Sequence, residues 1–358
     1  MVLEHSRSLC VGRPPVRFSR KAPFDRYTTP ELGLAVEDTP EVACGSDCVT
    51  ISMSTRDKRS CRVLTMITVG VDLGGTFTRV GAVDGAGRVL CQHTEPTFHE
   101  GPFESAVDRI TIFARNVLTE ASRVSGVECA GAELHMGVAL AGIVDHDRGR
   151  LVRGVNLALF EGRPICDELR ARLGPRVWTF TDIEASTWAE YCCREPIRDP
   201  FVHLRIGTGV GCSLVRDGRI VDLPREGLGH LNVLVVDDQP GARLCSCGRR
   251  GCLEAYVSGL ALNQQSESAH FRPELEQAAA MVVTATRKIS QTTGAEFICI
   301  GGGVVQALPG LLTTVRRMVV ENIAVGMCSP SVSVEPAMLG NDAGIIGAAL
   351  LARAASQR

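Results

Sequence analysis

From Ile67 onward the apolar positions follow two rhythms. "ITVGVDLG", "RVGAV" and "RVLCQH" are short runs rich in β-branched residues, which predict three strands in a meander, the second turn being "DGAG" at Asp84 to Gly87. From Phe103 to Val124 the spacing lengthens: Ala106, Ile110, Phe113, Val117 and Leu118 recur at helical intervals. "HMGVALAGIV" then predicts a single buried strand, Ile165 to Leu173 a short helix, and "VWTFTD" a strand feeding the helix "EASTWAEYCC". The theme repeats. "FVHLRIGTGVGCSLV" and "GRIV" predict strands joined at Arg216-Asp217-Gly218, Pro273 to Thr292 a helix, "EFICIGGGVV" a strand into a glycine turn, and "GNDAGIIGAALLARAA" a closing helix. Strands alternating with helices in two series imply two α/β lobes.

Residues 1–66 break this pattern. Arg, Pro and Ser are frequent, turn formers such as "RPPVRF" and "EDTPEVACGSDC" recur, and periodicity is absent, so the expectation is a disordered extension. An alternative expectation is that translation begins at Met66. The "CGSDC" of Cys44 to Cys48 belongs to the same extension and is read as tail, not as a second metal site.

Composition narrows the function. The chain has 358 residues, 45% of them hydrophobic, and 38 Lys and Arg against 40 Asp and Glu. That balance lacks the cationic footprint of a nucleic-acid or membrane-surface binder, so the expected partner is a small molecule. No apolar run reaches the length of a bilayer span, and "MVLEHSRSLC" has no secretory apolar core, which sets a cytoplasmic expectation. Fifteen cysteines, mostly scattered singly, fit reduced core thiols.

Three glycine turns each end a strand. In "DLGGT" Asp72 is followed by Gly74, Gly75 and Thr76; "IGTGVG" sets Thr208 and Gly209 in a second; "IGGG" closes on Gly302 and Gly303. Glycines there allow backbone N–H groups to approach an anion. A nucleotide held in a cleft between lobes accounts for all three. A fourth cluster, "GHLNVLVVDDQPGARLCSCGRRGCLE", places His230 upstream of Cys245, Cys247 and Cys252, a ligand set for tetrahedral Zn²⁺; crowded thiols or a redox site are the alternatives. With four protein ligands no position remains for an activated water, so the ion would be structural. Asp182, at a strand-to-helix junction, is either a helix N-cap or a side chain aimed into the cleft. Trp178 and Trp188 are read as core, and Arg249-Arg250 as a solvated loop.

Taken in order, "VGVDLGGTFTRVGAV", "NLALFEG", "TDIEASTWAEY", "IGTGVG", "GLGHL…CSCGRRGCLEAYVSG" and "IGGGVV" resemble the ROK family of repressors, open reading frames and sugar kinases, within the actin-like ATPase superfamily that includes hexokinase. The resemblance spans Ile67 to Arg358. It implies two ribonuclease-H-like lobes, residues 67–185 with 341–358 and residues 186–340, with ATP and Mg²⁺ in the cleft and transfer of the γ-phosphoryl group to a hexose or hexose derivative. It further implies Asp182 as general base, Asp72 as the phosphate-motif aspartate, and sugar contacts from Asn156, Thr181, Asp182, His230 and Glu254. In two places the chain departs from the family: Thr181 stands where an Asn is expected, and Gly227, next to Glu226, where a Glu is. Both departures bear on which sugar fits. Homo-dimers or tetramers are implied as well. The alternative the resemblance admits is a non-catalytic sugar sensor or a transcriptional regulator. Against the regulator, residues 1–66 lack the paired amphipathic helices of a helix-turn-helix.

Overall fold

Strand β1 (Thr68–Leu73) is buried at all six positions, as its β-branched residues and central glycine require for a strand covered on both faces. The computed structural model describes residues 66–126, 134–154, 156–221, 234–263 and 271–357. Strand β1 pairs antiparallel with β2 (Phe77–Val83), and β2 with β3 (Val89–Pro96), the expected meander. Helix α1 (Phe103–Ser125) follows, ending at Gly126, whose φ of 68° lets its N–H reach the Ser122 carbonyl at 3.0 Å.

The chain then enters β4 (Met136–Leu140), parallel to β1. Here the expectation of one strand across "HMGVALAGIV" is corrected. The strand stops after Leu140, and β5 (Gly142–Asp145) leaves the sheet to pair with β6 (Arg150–Gly154) in a separate hairpin. Gly142 makes the break: its φ is 147°, and any side chain would overlap the carbonyl of Arg153. Helix α2 (Ile165–Leu173) leads to β7 (Val177–Thr181), parallel to β4, and then to α3 (Asp182–Cys192). The first sheet has the order β3-β2-β1-β4-β7.

The second sheet repeats that plan. Strands β8 (Phe201–Ile206), β9 (Val210–Arg216) and β10 (Arg219–Val221) form an antiparallel meander. After the short helices α4 (Glu254–Val257) and α5 (Gly259–Asn263) and the long α6 (Phe271–Thr293), β11 (Phe297–Gly301) joins β8 in parallel. Helices α7 (Gly303–Ala307) and α8 (Pro309–Ala324), strand β12 (Ser333–Pro336) and helix α9 (Ala343–Ser356) complete the chain. The order is β10-β9-β8-β11-β12. The molecule is an α/β fold built on two mixed five-stranded sheets.

Helix α1 covers one face of the first sheet through Phe103, Val107, Ile110 and Ala114. A separate apolar cluster joins the second sheet to α6 and α8 through Val202, Leu204, Ile298, Val282 and Val315. Between the sheets lie α3 and α9, and there Phe180, Trp188, Phe201, Phe297 and Leu351 form a third cluster with residues from both. Trp188 is 1% exposed and belongs to that core, as the sequence suggested.

Helix α9 touches β1 and β4 backbone to backbone. A methyl group at Gly70 would strike the carbonyl of Ile345, one at Gly137 that of Ala348, and one on Gly347 that of Ala185 in α3. Overlap with rigid backbone cannot be relieved by a rotamer change. Gly137→Ala is therefore expected to cost on the order of 3 kcal/mol in urea unfolding, the upper end for overpacking. Gly241→Ala, where nothing lies within 4 Å of the added carbon, is the control and should stay within about 0.5 kcal/mol of the parent.

Candidate functional site

The ends of β1, β7 and β8 deliver three charged side chains to one place. Asp72 is 4% exposed and pairs with Arg79 of β2 at 3.4 Å. Burial pushes its carboxyl above the usual carboxylate range, the Arg205 and Arg79 guanidiniums oppose that shift, and the charge of Asp182 reinforces it. Gly344, in the first turn of α9, lies against the Asp72 carboxylate, and a side chain there would displace it. Asp182 is the first residue of α3, and its Oδ2 accepts from Nη1 of Arg205 at 2.9 Å. Its carboxyl is likewise raised by burial and lowered by Arg205.

The N-cap alternative for Asp182 does not hold. Thr181 takes that position: its Oγ1 accepts from the Glu184 N–H at 3.1 Å while Glu184 Oε2 accepts from the Thr181 N–H at 2.9 Å, a complete capping box. The capping duty falls on neighbours. The Asp182 carboxylate instead faces Arg205 and the N–H groups of Ile183 and Asp182, with 28% of the side chain exposed.

The second and third glycine turns meet by close approach, while the first is held by its own neighbours. At the first, Gly74 N–H donates to the Phe77 carbonyl at 3.1 Å and the Thr97 hydroxyl to the Gly74 carbonyl at 2.6 Å, leaving Thr76 exposed at the tip with Gly75 beside it. At the second, Gly207 N–H donates to the Gly209 carbonyl at 2.9 Å, and Thr208 is exposed. At the third, Gly302 has a φ of 104° and lies directly on the backbone of Ile206, where no side chain fits. Gly303 starts α7 beside it. A cavity of about 270 Å³ opens next to this junction, lined by Arg205, Gly301, Gly302, Gln306, Ala337 and Gly340 among others.

The cysteine loop is shaped by two glycines with positive φ, Gly248 at 86° and Gly251 at 77°. Cys245 N–H donates to Arg249 O at 2.7 Å, and Gly251 N–H to Arg243 O at 2.8 Å. The sulfurs of Cys245, Cys247 and Cys252 all lie within 4.8 Å of one another, and those of Cys247 and Cys252 are 3.6 Å apart. Sulfurs on a zinc tetrahedron stand about 3.8 Å apart, from a Zn–S bond of about 2.3 Å. The thiol arrangement fits such an ion. His230, Glu226 and Gly227 lie outside the described residues, as do residues 1–65.

Glu254, expected to face a sugar, has both carboxylate oxygens engaged: Oε2 accepts from the Val210 N–H at 3.1 Å and Oε1 from the Ser246 hydroxyl at 2.7 Å. It joins the cysteine loop to the second glycine turn. Asn156 is exposed, with a φ of 57°, in the segment after β6. Sequence reasoning missed three residues. Arg205 is the first. His146 bridges the β5–β6 hairpin to Glu184 at 3.3 Å and to the Thr179 carbonyl at 3.1 Å. Glu190, fully buried on α3, accepts from the N–H groups of Met338 and Leu339 at 2.9 and 2.8 Å and so holds the wall of the cavity. The signal for Glu190 was present, since "EASTWAEYCC" puts a carboxylate among apolar helix positions.

With this geometry in place, residues 68–355 match the ROK family. An N-acetylmannosamine kinase from Citrobacter koseri is 29% identical over 307 residues, covering 80% of this chain and 99% of that one. A glucokinase from Streptomyces coelicolor is 26% identical over 332 residues, with 80% and 98% covered. Among solved structures, a ROK hexokinase from Thermus thermophilus superposes with a TM-score of 0.65 at 27% identity, covering 82% of this chain and 99% of its own.

Replacing Glu254 with Ala would leave the Val210 N–H without its acceptor, at a cost of about 1–3 kcal/mol for an unsatisfied group. Hydrogen exchange at the Val210 amide should then accelerate at least about tenfold, a tenfold change corresponding to about 1.4 kcal/mol. Unchanged protection would show that Glu254 does not brace the turn.

Proposed function

The chain belongs to the ROK family, and from that membership we propose that it is an ATP-dependent hexose kinase with Asp182 as the base for the acceptor hydroxyl. The observation that supports this reading is that Asp182, with Thr181 taking the N-cap, stays partly exposed beside Asp72 and is bonded to Arg205, which lines the cavity at Gly302. Phosphoryl transfer demands positioned groups and compensated charge more than covalent chemistry. A carboxylate at hydrogen-bond reach of the hydroxyl, beside a cavity that takes a nucleotide, supplies both.

In the proposed reaction the acceptor hydroxyl gives its proton to Asp182 as its oxygen bonds to the γ-phosphorus. The bond from that phosphorus to the β,γ-bridging oxygen breaks, and its electron pair leaves with ADP. The Gly74–Thr76 and Gly207–Gly209 turns would cradle the phosphates, and Gly302 and Gly303 would admit the nucleoside. Mg²⁺, held near Asp72 through waters, would offset phosphate charge. The cysteine loop would carry a structural Zn²⁺ on Cys245, Cys247 and Cys252, with His230 as fourth ligand. Relatives named for glucose and N-acetylmannosamine frame the acceptor as a hexose or an N-acylhexosamine. Asn156 and Thr181 remain the sugar contacts of this reading, joined by His230 through its second ring nitrogen. Glu254 would reach a sugar only with an oxygen already shared with Val210 or Ser246. With ATP and a sugar as its substrates, the proposed compartment is the cytoplasm.

A coupled ADP-release assay over hexoses and N-acylhexosamines tests the reading, and turnover with at least one of them is expected. No turnover with any would favour a sugar sensor. Asp182→Asn should lower kcat by roughly 10²- to 10⁴-fold, the span of general-base catalysis, with nucleotide affinity within about twofold. Retained turnover would remove Asp182 from its role. Cys247→Ser should lose bound metal and lower Tm together, by at least several degrees, since about 1 kcal/mol shifts Tm by about 2–4 °C in domains of 150–250 residues. Metal analysis alongside a thermal melt decides it: full stability without zinc refutes the structural ion.

A further inference from the structure

Arg205 stands between the two halves of the candidate site. Along β8 the apolar residues Val202, Leu204 and Ile206 enter the core shared with α6 and α8, so His203 and Arg205 fall on the opposite face, toward α3. There Arg205 donates to Asp182 at 2.9 Å, lines the cavity beside Gly301 and Gly302, and lies two residues before Gly207, where the Gly207–Gly209 turn begins. Among the described residues, Nη1 is the guanidinium nitrogen that makes a side-chain hydrogen bond, out of a planar fork with five N–H donors. We propose that Arg205 is a positioning residue that holds Asp182 ionised and aimed into the cleft, and extends its remaining donors to the terminal phosphate of a nucleotide bound over the Gly207–Gly209 turn. This rests on the sugar-kinase reading above.

The charges around Asp182 leave Arg205 that task. Asp72, from β1, repels it and has its own partner in Arg79 of β2. Glu184, on α3 itself, adds repulsion and is taken up by His146 and the Thr181 N–H. His203, two residues back on β8, is driven down to about 3 by burial and by the Arg205 and Arg194 charges, so it stays neutral and offers no competing cation. Burial alone would favour a protonated Asp182, which cannot accept a proton. The guanidinium at 2.9 Å opposes that, and its rigid planar fork can offer separate nitrogens to carboxylate and phosphate, where an ammonium offers one.

The test compares full-length wild type, Arg205→Met and Arg205→Lys. Because Arg205 favours the ionised carboxylate, its removal raises the Asp182 pKa and moves the acid limb of kcat/KM for the sugar to higher pH. Arg205→Met should shift that limb upward by about one unit or more and lower kcat roughly 10- to 100-fold. Arg205→Lys keeps the charge and should hold the limb near wild type, while losing the fork and raising the KM for ATP at least about threefold. Calorimetry with AMP-PNP and ADP gives an arm independent of turnover: the wild-type preference for AMP-PNP should vanish in Arg205→Met. An unshifted acid limb or an undiminished preference in Arg205→Met overturns the proposal. Should that variant fail to fold, an ordinary KM for ATP in Arg205→Lys does so. Wild type that turns over no sugar defeats the kinase reading instead, and the calorimetric arm still decides Arg205.

Discussion

The backbone of α9 lies directly on β1, β4 and α3, with glycines at Gly70, Gly137 and Gly347 where side chains would otherwise separate them. Such contact removes the layer of side chains that normally lets a helix settle at several depths. It fixes the height of α9 above the first sheet and, through Gly347 and Ala185, the position of α3 as well. Since α3 begins at Asp182 and α9 begins near Gly344, which presses on Asp72, the two carboxylates are placed by the same packing. An apolar constraint thus sets the geometry of a polar site. The Phe180, Trp188, Phe201 and Phe297 cluster extends it to the second sheet.

Within that frame, charge compensation decides what the site can do. Two raised carboxylates lie near one another, and guanidiniums temper both: Arg205 acts on Asp182 and, ahead of Arg79, on Asp72 as well. Neutralising one acid by protonation would be the cheaper solution in a dry site. The arginines oppose that shift, and both carboxyls still lie above the usual carboxylate range.

Much of this was legible in the sequence, for identifiable reasons. The strands followed from short apolar runs rich in β-branched residues, and the Cys-x-Cys and Gly-Arg-Arg-Gly-Cys spacing announced a thiol cluster. The capping box was visible as "TDIE", with Thr181 and Glu184 three apart, and it settles against Asp182 as the cap. Gly142 was less readable: its left-handed backbone depends on the crossing of Arg153, a contact eleven residues away that no local rule supplies. Arg205 was hidden for a similar reason. Strand alternation tells which face it takes, but its pairing with Asp182 depends on how two sheets are brought together, and that is tertiary information.

The link between the cysteine loop and the glycine turn changes what a metal there would accomplish. Glu254 spans from Ser246, between two of the cysteines, to the Val210 N–H at the edge of "IGTGVG", and Gly209 lies against the same carboxylate. Tyr256, two residues on, accepts from the Arg243 N–H at 3.0 Å and donates to Asp237, anchoring the other side of the loop. A loop held in this way transmits its order to the Gly207–Gly209 turn. Under the zinc reading, the ion's influence would then reach nucleotide binding through Glu254 and Val210, in addition to any effect on the sugar through His230.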